Sequence, residues 1–255
     1  MLKAGLASVT LKTKTPEEVI RLVADSNISA IEWASHVHAH EGDVVLCKQI
    51  LDMTRSAGLE VASYGSYFRL GTGTDIVPFL ESAAALETNQ IRIWGGRESS
   101  CDLSPAQRKA LVEESVAIAE KAASYNITLS LECHPNTVTD TLESQLLFLN
   151  EVNMPNFCTY WQADTALPMD ARTTSLQSVY ASGKLTNLHL YWYNAAHERR
   201  LLEEGKEQLT QWLSLFKNDS LPRYALIEFV KDNTDENFLR DAKTLASIVS
   251  TVNTL

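Results

Sequence analysis

Cysteine is scarce. The chain holds four, Cys47, Cys101, Cys133 and Cys158, and none stands in a CxxC or zinc-knuckle spacing. Four thiols in 255 residues do not make a disulfide scaffold, which leaves reduced cysteines that act as small hydrophobes. No apolar run approaches the roughly 20 residues needed to cross a bilayer. The opening MLKAGLASVTLKTK lacks the sustained apolar core of a secretory leader. Positive charge is also short: 22 Lys and Arg stand against 32 Asp and Glu, a formal net charge of −10. The basic residues are scattered, and the densest pair, Arg199-Arg200, is followed at once by Glu203 and Glu204. A field of that sign disfavours nucleic acid and anionic membrane surfaces as partners. No linker or low-complexity tract interrupts the chain. These absences lead us to expect one soluble, cytoplasmic domain spanning residues 1–255, with a small molecule as its partner and a homodimer allowed.

Short β-rich runs alternate with longer helical stretches eight times over. The expected strands are Leu2–Val9, Ile28–Trp33, Leu59–Tyr64, Ile91–Trp94, Ile127–Glu132, Phe157–Gln162, Leu188–Tyr193 and Tyr224–Val230. Thr15-Pro16-Glu17-Glu18 combines a capping hydroxyl, a first-turn proline and a Glu at the capping-box position. Ser104-Pro105-Ala106-Gln107 repeats that device, and Gly58 is placed to close a helix just before a strand. Eight β-then-α units suit a single (β/α)8 barrel. An open doubly wound sheet uses the same units, but no glycine-rich nucleotide loop opens the first helix. Gly71-Thr72-Gly73-Thr74 lacks the Lys-Ser/Thr ending of a phosphate loop and reads as a turn.

Strand parity points to a site. In Ile127-Thr128-Leu129-Ser130-Leu131-Glu132 the apolar residues take one face, which directs Glu132 inward at the carboxyl end of the strand. That end is where (β/α)8 barrels carry their chemistry. Tyr160, Gln162 and Asp164 share a face; so do Asn187 and His189, and so do Leu226 and Glu228. Glu132, Gln162 or Asp164, His189 and Glu228 should therefore meet at one mouth. Two carboxylates, an imidazole and a further oxygen suit one divalent ion: Mn²⁺, Mg²⁺, Co²⁺ or Zn²⁺.

Ile31-Glu32-Trp33, Leu131-Glu132-Cys133-His134, Asn187-Leu188-His189 and Ile227-Glu228-Phe229 carry a resemblance over essentially the whole chain. The chain resembles the xylose-isomerase-like barrel superfamily of sugar and sugar-phosphate isomerases and epimerases, to which the family 2 AP endonucleases also belong. Its flavour is that of the ketose 3-epimerase and hydroxypyruvate isomerase branch. The resemblance implies that Glu132, Asp164, His189 and Glu228 bind one metal, with Gln162 as the alternative to Asp164. It further implies that Glu132 and Glu228 act as catalytic acid and base, passing a proton through an enediolate of a ketose or sugar phosphate. Two features depart from the pattern. Leu167 stands where a His usually follows the sixth strand, and the Lys-Asp usual after the seventh-strand His is absent. A non-catalytic sugar-binding barrel and a metal-dependent hydrolase or endonuclease are the other readings. His38, with His36 beside it, and Tyr64, Arg69, Trp94, His134 and Trp192 lie near the expected mouth and are the candidate substrate contacts.

Overall fold

The β-rich runs, buried along almost their whole length, form eight parallel strands: Leu2–Ala7, Ala30–Ala34, Glu60–Arg69, Gln90–Trp94, Thr128–Glu132, Phe157–Trp161, Leu185–Leu190 and Arg223–Ile227. The structure, a computed structural model, describes residues 1–254. Each strand pairs with its successor in sequence, and the eighth closes onto the first in the register Leu2↔Arg223 to Leu6↔Ile227. The result is a single closed (β/α)8 barrel.

Eight helices surround it: α1 (Pro16–Ala24), α2 (Val44–Ser56), α3 (Val77–Ala85), α4 (Pro105–Ser124), α5 (Leu142–Val152), α6 (Met169–Ala181), α7 (Lys206–Leu213) and α8 (Asp235–Thr254). Both capping boxes form: the Thr15 and Ser104 side chains accept from the Glu18 and Gln107 amides, and those side chains reach back. Gly58 takes φ +74° at the end of α2, the conformation a residue without Cβ adopts freely. No described helix is long and apolar enough to cross a membrane.

The strand ends shift from the sequence expectation by one or two residues in five strands and by three or more in the third, seventh and eighth, each of these three for a local reason. The third strand continues past Tyr64 to Arg69, because its pairing with the fourth resumes after an irregularity at Arg69↔Trp94. The seventh begins at Leu185 and ends at Leu190, since Trp192–Tyr193 leaves the barrel to pair antiparallel with Arg199–Arg200. The eighth ends at Ile227, before Phe229 turns into the left-handed region at φ +62°. A further shift between Ile31 and Glu32 sets Glu32 opposite Ser63. Such irregularities re-aim side chains, and these cluster towards the carboxyl end of the barrel.

Asp241 ties α8 to the short turn Leu202–Gly205 by accepting the Leu202 amide at 2.8 Å. Burial lifts its carboxyl from the ordinary 3.8 to about 6, against the pull of that amide. Between those values the folded chain binds more protons than the unfolded one, so this group's contribution falls as pH rises through the window. Asp241→Asn keeps an oxygen for the amide and loses the titration. Denaturant unfolding should show the variant gaining on the parent from about pH 4 to about pH 6.5 and levelling above that. A difference constant across the range would show that Asp241 does not titrate there.

Candidate metal centre

Inward parity on the strands and just past their ends brings five charged or titratable side chains into the barrel's carboxyl end. Glu132, His189 and Glu228 each offer a ligand atom, and these atoms all lie within 4.8 Å of one another. All three residues are buried. His189 spans two carboxylates: Nε2 lies 3.1 Å from Glu32 Oε1, and Nδ1 lies 3.3 Å from Glu228 Oε2. The Nδ1 contact lacks hydrogen-bond geometry, so this buried nitrogen has no partner. Glu32 thereby fixes the ring from behind and leaves the other nitrogen facing Glu228, the arrangement that orients a metal-ligating imidazole.

Arg92 and Glu32 complete the cluster, and sequence reasoning assigned a role to neither. The Arg92 guanidinium is paired with Glu132 Oε2 and stands 3.4 Å from Glu32 Oε1. Ser63 donates to Glu32 Oε2 at 2.7 Å. Gly65 makes this possible: a Cβ there would lie 2.8 Å from Glu32 Oε1 and 3.1 Å from Arg92 Nη2. The signal for Arg92 was present. Gln90-Ile91-Arg92-Ile93-Trp94 alternates, and Arg92 has the same parity as Trp94, which lines the cavity.

The charges sort the groups. Burial would raise the Glu32 carboxyl, but His189, Arg92 and Ser63 hold it at about 2. Burial would lower the His189 imidazole, yet Glu228 and Glu32 lift it to about 10. Arg92 stays charged because Glu132, Glu32 and Glu228 outweigh its desolvation. Burial pushes Glu132 upward against the pull of Arg92, with Glu228 adding to the rise. Glu228 falls below the usual range, because His189 and Arg92 more than offset its burial. Two carboxylates are thus driven apart, the condition under which one serves as acid and the other as base.

A cavity of about 450 Å³ opens above the cluster, lined by Arg92, Glu132 and Glu228 at its floor and by aromatic rings at its sides. Trp94 and His134 line it with ring centroids 4.5 Å apart, and Tyr67 stands 5.5 Å from Trp94. Tyr191, Tyr193 and Phe229 form the opposite wall. Cys133 also lines the cavity, but burial and then Asp164 and Glu132 push its thiol up to about 12, which removes it as a nucleophile.

The other expected contacts fall elsewhere. His38 is buried under Trp33, its ring nitrogens 3.0 Å from Ser8 Oγ and 3.1 Å from the Lys14 carbonyl. Tyr64 sits in the core and donates to the Ala39 carbonyl at 2.8 Å. The Arg69 guanidinium stacks 3.9 Å from the Trp94 ring centre, outside the cavity lining. Trp192 has the opposite parity to His189; its indole presses on Gly205 and packs near Trp212. Tyr191 and Tyr193, which share the parity of His189, take the place expected for Trp192.

The sixth-strand residues part company. Asp164 lines the cavity but is exposed, accepts the Ala166 amide at 2.9 Å, and lies outside the Glu132–His189–Glu228 cluster. Gln162 is half-buried, and its Nε2 donates to the Cys133 carbonyl at 2.7 Å. Its Oε1 is buried in the cavity wall without a partner.

Comparisons with known proteins give the fold a setting. No family model matches the chain. A 3-dehydroshikimate dehydratase of Bacillus anthracis is 28% identical over 148 residues, 54% of this chain. The match spans about half of that relative's length, 53%. The crystal structure of AsbF from the same organism, described as a probable 3-DHS dehydratase of petrobactin synthesis, superposes with a TM-score of 0.79. It is 19% identical and the match covers 96% of this chain and 98% of AsbF. A D-psicose 3-epimerase crystallised in the presence of D-fructose gives a TM-score of 0.69 at 14% identity, over 99% and 98% of the two chains. A xylose isomerase-like TIM-barrel protein from Mycobacterium smegmatis, in complex with magnesium, gives 0.67 at 13% identity, over 92% and 88%. Closed eight-stranded barrel and structural neighbours together show that this chain has the xylose isomerase-like TIM-barrel fold.

Proposed function

We propose that the chain is a divalent-metal-dependent isomerase or epimerase that moves a proton next to the carbonyl of a small ketose. The carrying observation is the convergence of Glu132, Glu228 and the unpartnered Nδ1 of His189. The donor set fits an ion. Glu32, Glu132 and Glu228 outnumber Arg92 and the His189 imidazolium; an ion taking the place of the His189 proton would leave two negative charges for a divalent cation to balance. Arg92 engages Oε2 of Glu132 and leaves Oε1 to a ligand. Glu132, His189 and Glu228 would hold the ion. We assign the fourth position to Gln162 rather than to Asp164, because its orphaned Oε1 already lies in the wall. An ion bound there supplies Lewis-acid polarisation of a carbonyl and an adjacent hydroxyl.

The remaining work falls to the chain's own groups. Glu228, kept below the usual carboxylate range by the cationic groups around it, Arg92 among them, takes the proton from the carbon beside the carbonyl. Glu132, raised by burial, returns a proton, and the two carboxylates reach the substrate from the carboxyl ends of two different strands. Trp94, Tyr67 and Tyr191 offer aromatic faces to the apolar side of the sugar and keep water from the floor. The cationic side chain in the lining, Arg92, is already shared by two carboxylates, so an unphosphorylated ketose fits better than a sugar phosphate. A net charge of −10 and a cavity of about 450 Å³ count against a DNA-cleaving hydrolase. Dehydration is the second reading. It begins with the same proton abstraction, and the 28%-identical relative is named for it.

The shared step gives the test. Protein loaded with Mn²⁺ should wash solvent deuterium into the carbon beside the carbonyl, read by NMR across a panel of ketoses and β-hydroxy ketones. Epimer formation supports the first reading and loss of water the second. Bound sugar without exchange, for any metal offered, would leave a non-catalytic sugar-binding barrel. Metal analysis decides the fourth ligand. Gln162→Ala should lose metal far more than Asp164→Asn, by roughly 10-fold in affinity on the scale of shell substitutions. The reverse order would return that position to Asp164. With two carboxylates instead of three, metal should be weakly retained after purification without added ion.

A further inference from the structure

Glu228 follows the eighth strand, and its amide still bonds to the Leu190 carbonyl at 3.0 Å. By strand parity the next residue, Phe229, should point away from the barrel interior, into the helix layer. Instead it adopts φ +62° and is among the residues that line the cavity. A bulky side chain rarely occupies that left-handed region, and such a residue persists only where its surroundings over-determine it. One side chain holds both sides of the bend. The Thr10 hydroxyl accepts the Phe229 amide at 2.9 Å and donates to the Ile227 carbonyl at 3.3 Å, bracketing Glu228 on either flank. Thr10 is buried in the short turn that follows the first strand, so the bracket crosses the seam where the barrel closes. Arg199 presses from the other side, its guanidinium 4.9 Å from the Phe229 ring centre and its Nη1 donating to the Val230 carbonyl at 3.4 Å.

We infer that Thr10 is a positioning residue for Glu228: its hydroxyl locks the left-handed bend at Phe229 and so aims the Glu228 carboxylate at His189. The inference rests on the reading of Glu228 as a metal ligand, which gives the aim its consequence. Thr10 touches no ligand atom of the cluster; it acts through the backbone on either side of one.

The experiment is a double-mutant cycle on the intact protein, read by Mn²⁺ affinity with titration calorimetry or electron paramagnetic resonance. Thr10→Val keeps the shape and loses both hydrogen bonds. It should weaken Mn²⁺ binding roughly 10-fold or more, the usual cost of an outer-shell change. Thr10→Ser restores the hydroxyl and should bind as the parent does. Phe229→Gly takes positive φ without a Cβ penalty, so in that background Thr10→Val should cost markedly less. The same loss in both backgrounds would overturn the inference, as would a Thr10→Val protein that merely melts earlier and binds Mn²⁺ normally. If the parent binds no Mn²⁺, the metal reading fails by itself, and amide exchange then decides on the bend. Protection of the Phe229 amide should fall in Thr10→Val and survive in Thr10→Ser; unchanged protection in Thr10→Val overturns the lock.

Discussion

Glu132→Gln should leave a folded barrel with its turnover reduced by about 10²–10⁴-fold, the range associated with losing a positioned acid or base. The amide reproduces the volume of the carboxylate in a position that is 4% exposed, so packing is preserved. Arg92 keeps Glu32 as a partner at 3.4 Å, and no charge is stranded. What disappears is the exchangeable proton and one negative ligand. Circular dichroism should therefore overlay the parent, while deuterium exchange beside the carbonyl falls to background. Excess Mn²⁺ separates the two roles. If saturating ion restored exchange, Glu132 would be a ligand alone. Continued loss at full metal occupancy places the proton on Glu132. Unchanged turnover would remove it from the mechanism altogether.

Period and parity make most of this molecule legible in its sequence. Eight strand–helix units, both capping boxes and the Gly58 turn follow from local chemistry, and local chemistry is what those elements obey. The inward directions of Glu132, His189 and Glu228 follow from the two-residue strand repeat as well. The same rule, applied to its end, puts Tyr191 rather than Trp192 in the cavity and Arg92 beneath Trp94. A guanidinium is not a metal ligand, so ligand chemistry alone does not single out Arg92, although a cation between Ile91 and Ile93 must find carboxylates. Other placements depend on distant partners. The register shift between Ile31 and Glu32 sets that carboxylate against Ser63 and His189, and no local pattern announces it. The left-handed Phe229 breaks parity outright, held by a hydroxyl 219 residues away in sequence. Gln162 and Asp164 share a strand face, yet one side chain is anchored beside Cys133 and the other turns back onto its own loop.

Arg92→Met should be the most damaging substitution for the fold, costing about 3–5 kcal/mol, as expected when one partner of a buried ion pair is removed. Arg92 is 2% exposed, on a strand paired on both sides. It stands between Glu32 and Glu132, with Glu228 contributing to the field that keeps it charged. Without it, three buried carboxylates would face His189 alone. Denaturant midpoints should fall accordingly, at unchanged slope. Arg92→Lys should recover part of the loss, since a single ammonium keeps the charge but cannot fork across two carboxylates. Arg92→Met combined with Glu132→Gln should lie closer to the parent than the sum of the single effects, because the second change neutralises a stranded carboxylate. Added Mn²⁺ should raise the melting temperature of Arg92→Met more than that of the parent, as a cation binding only the folded state now replaces a missing one. If instead Arg92→Met unfolds within about 1 kcal/mol of the parent, the interior charges are not coupled through Arg92. The Glu32–Arg92–Glu132 network would then contribute little to holding the barrel's carboxyl end together.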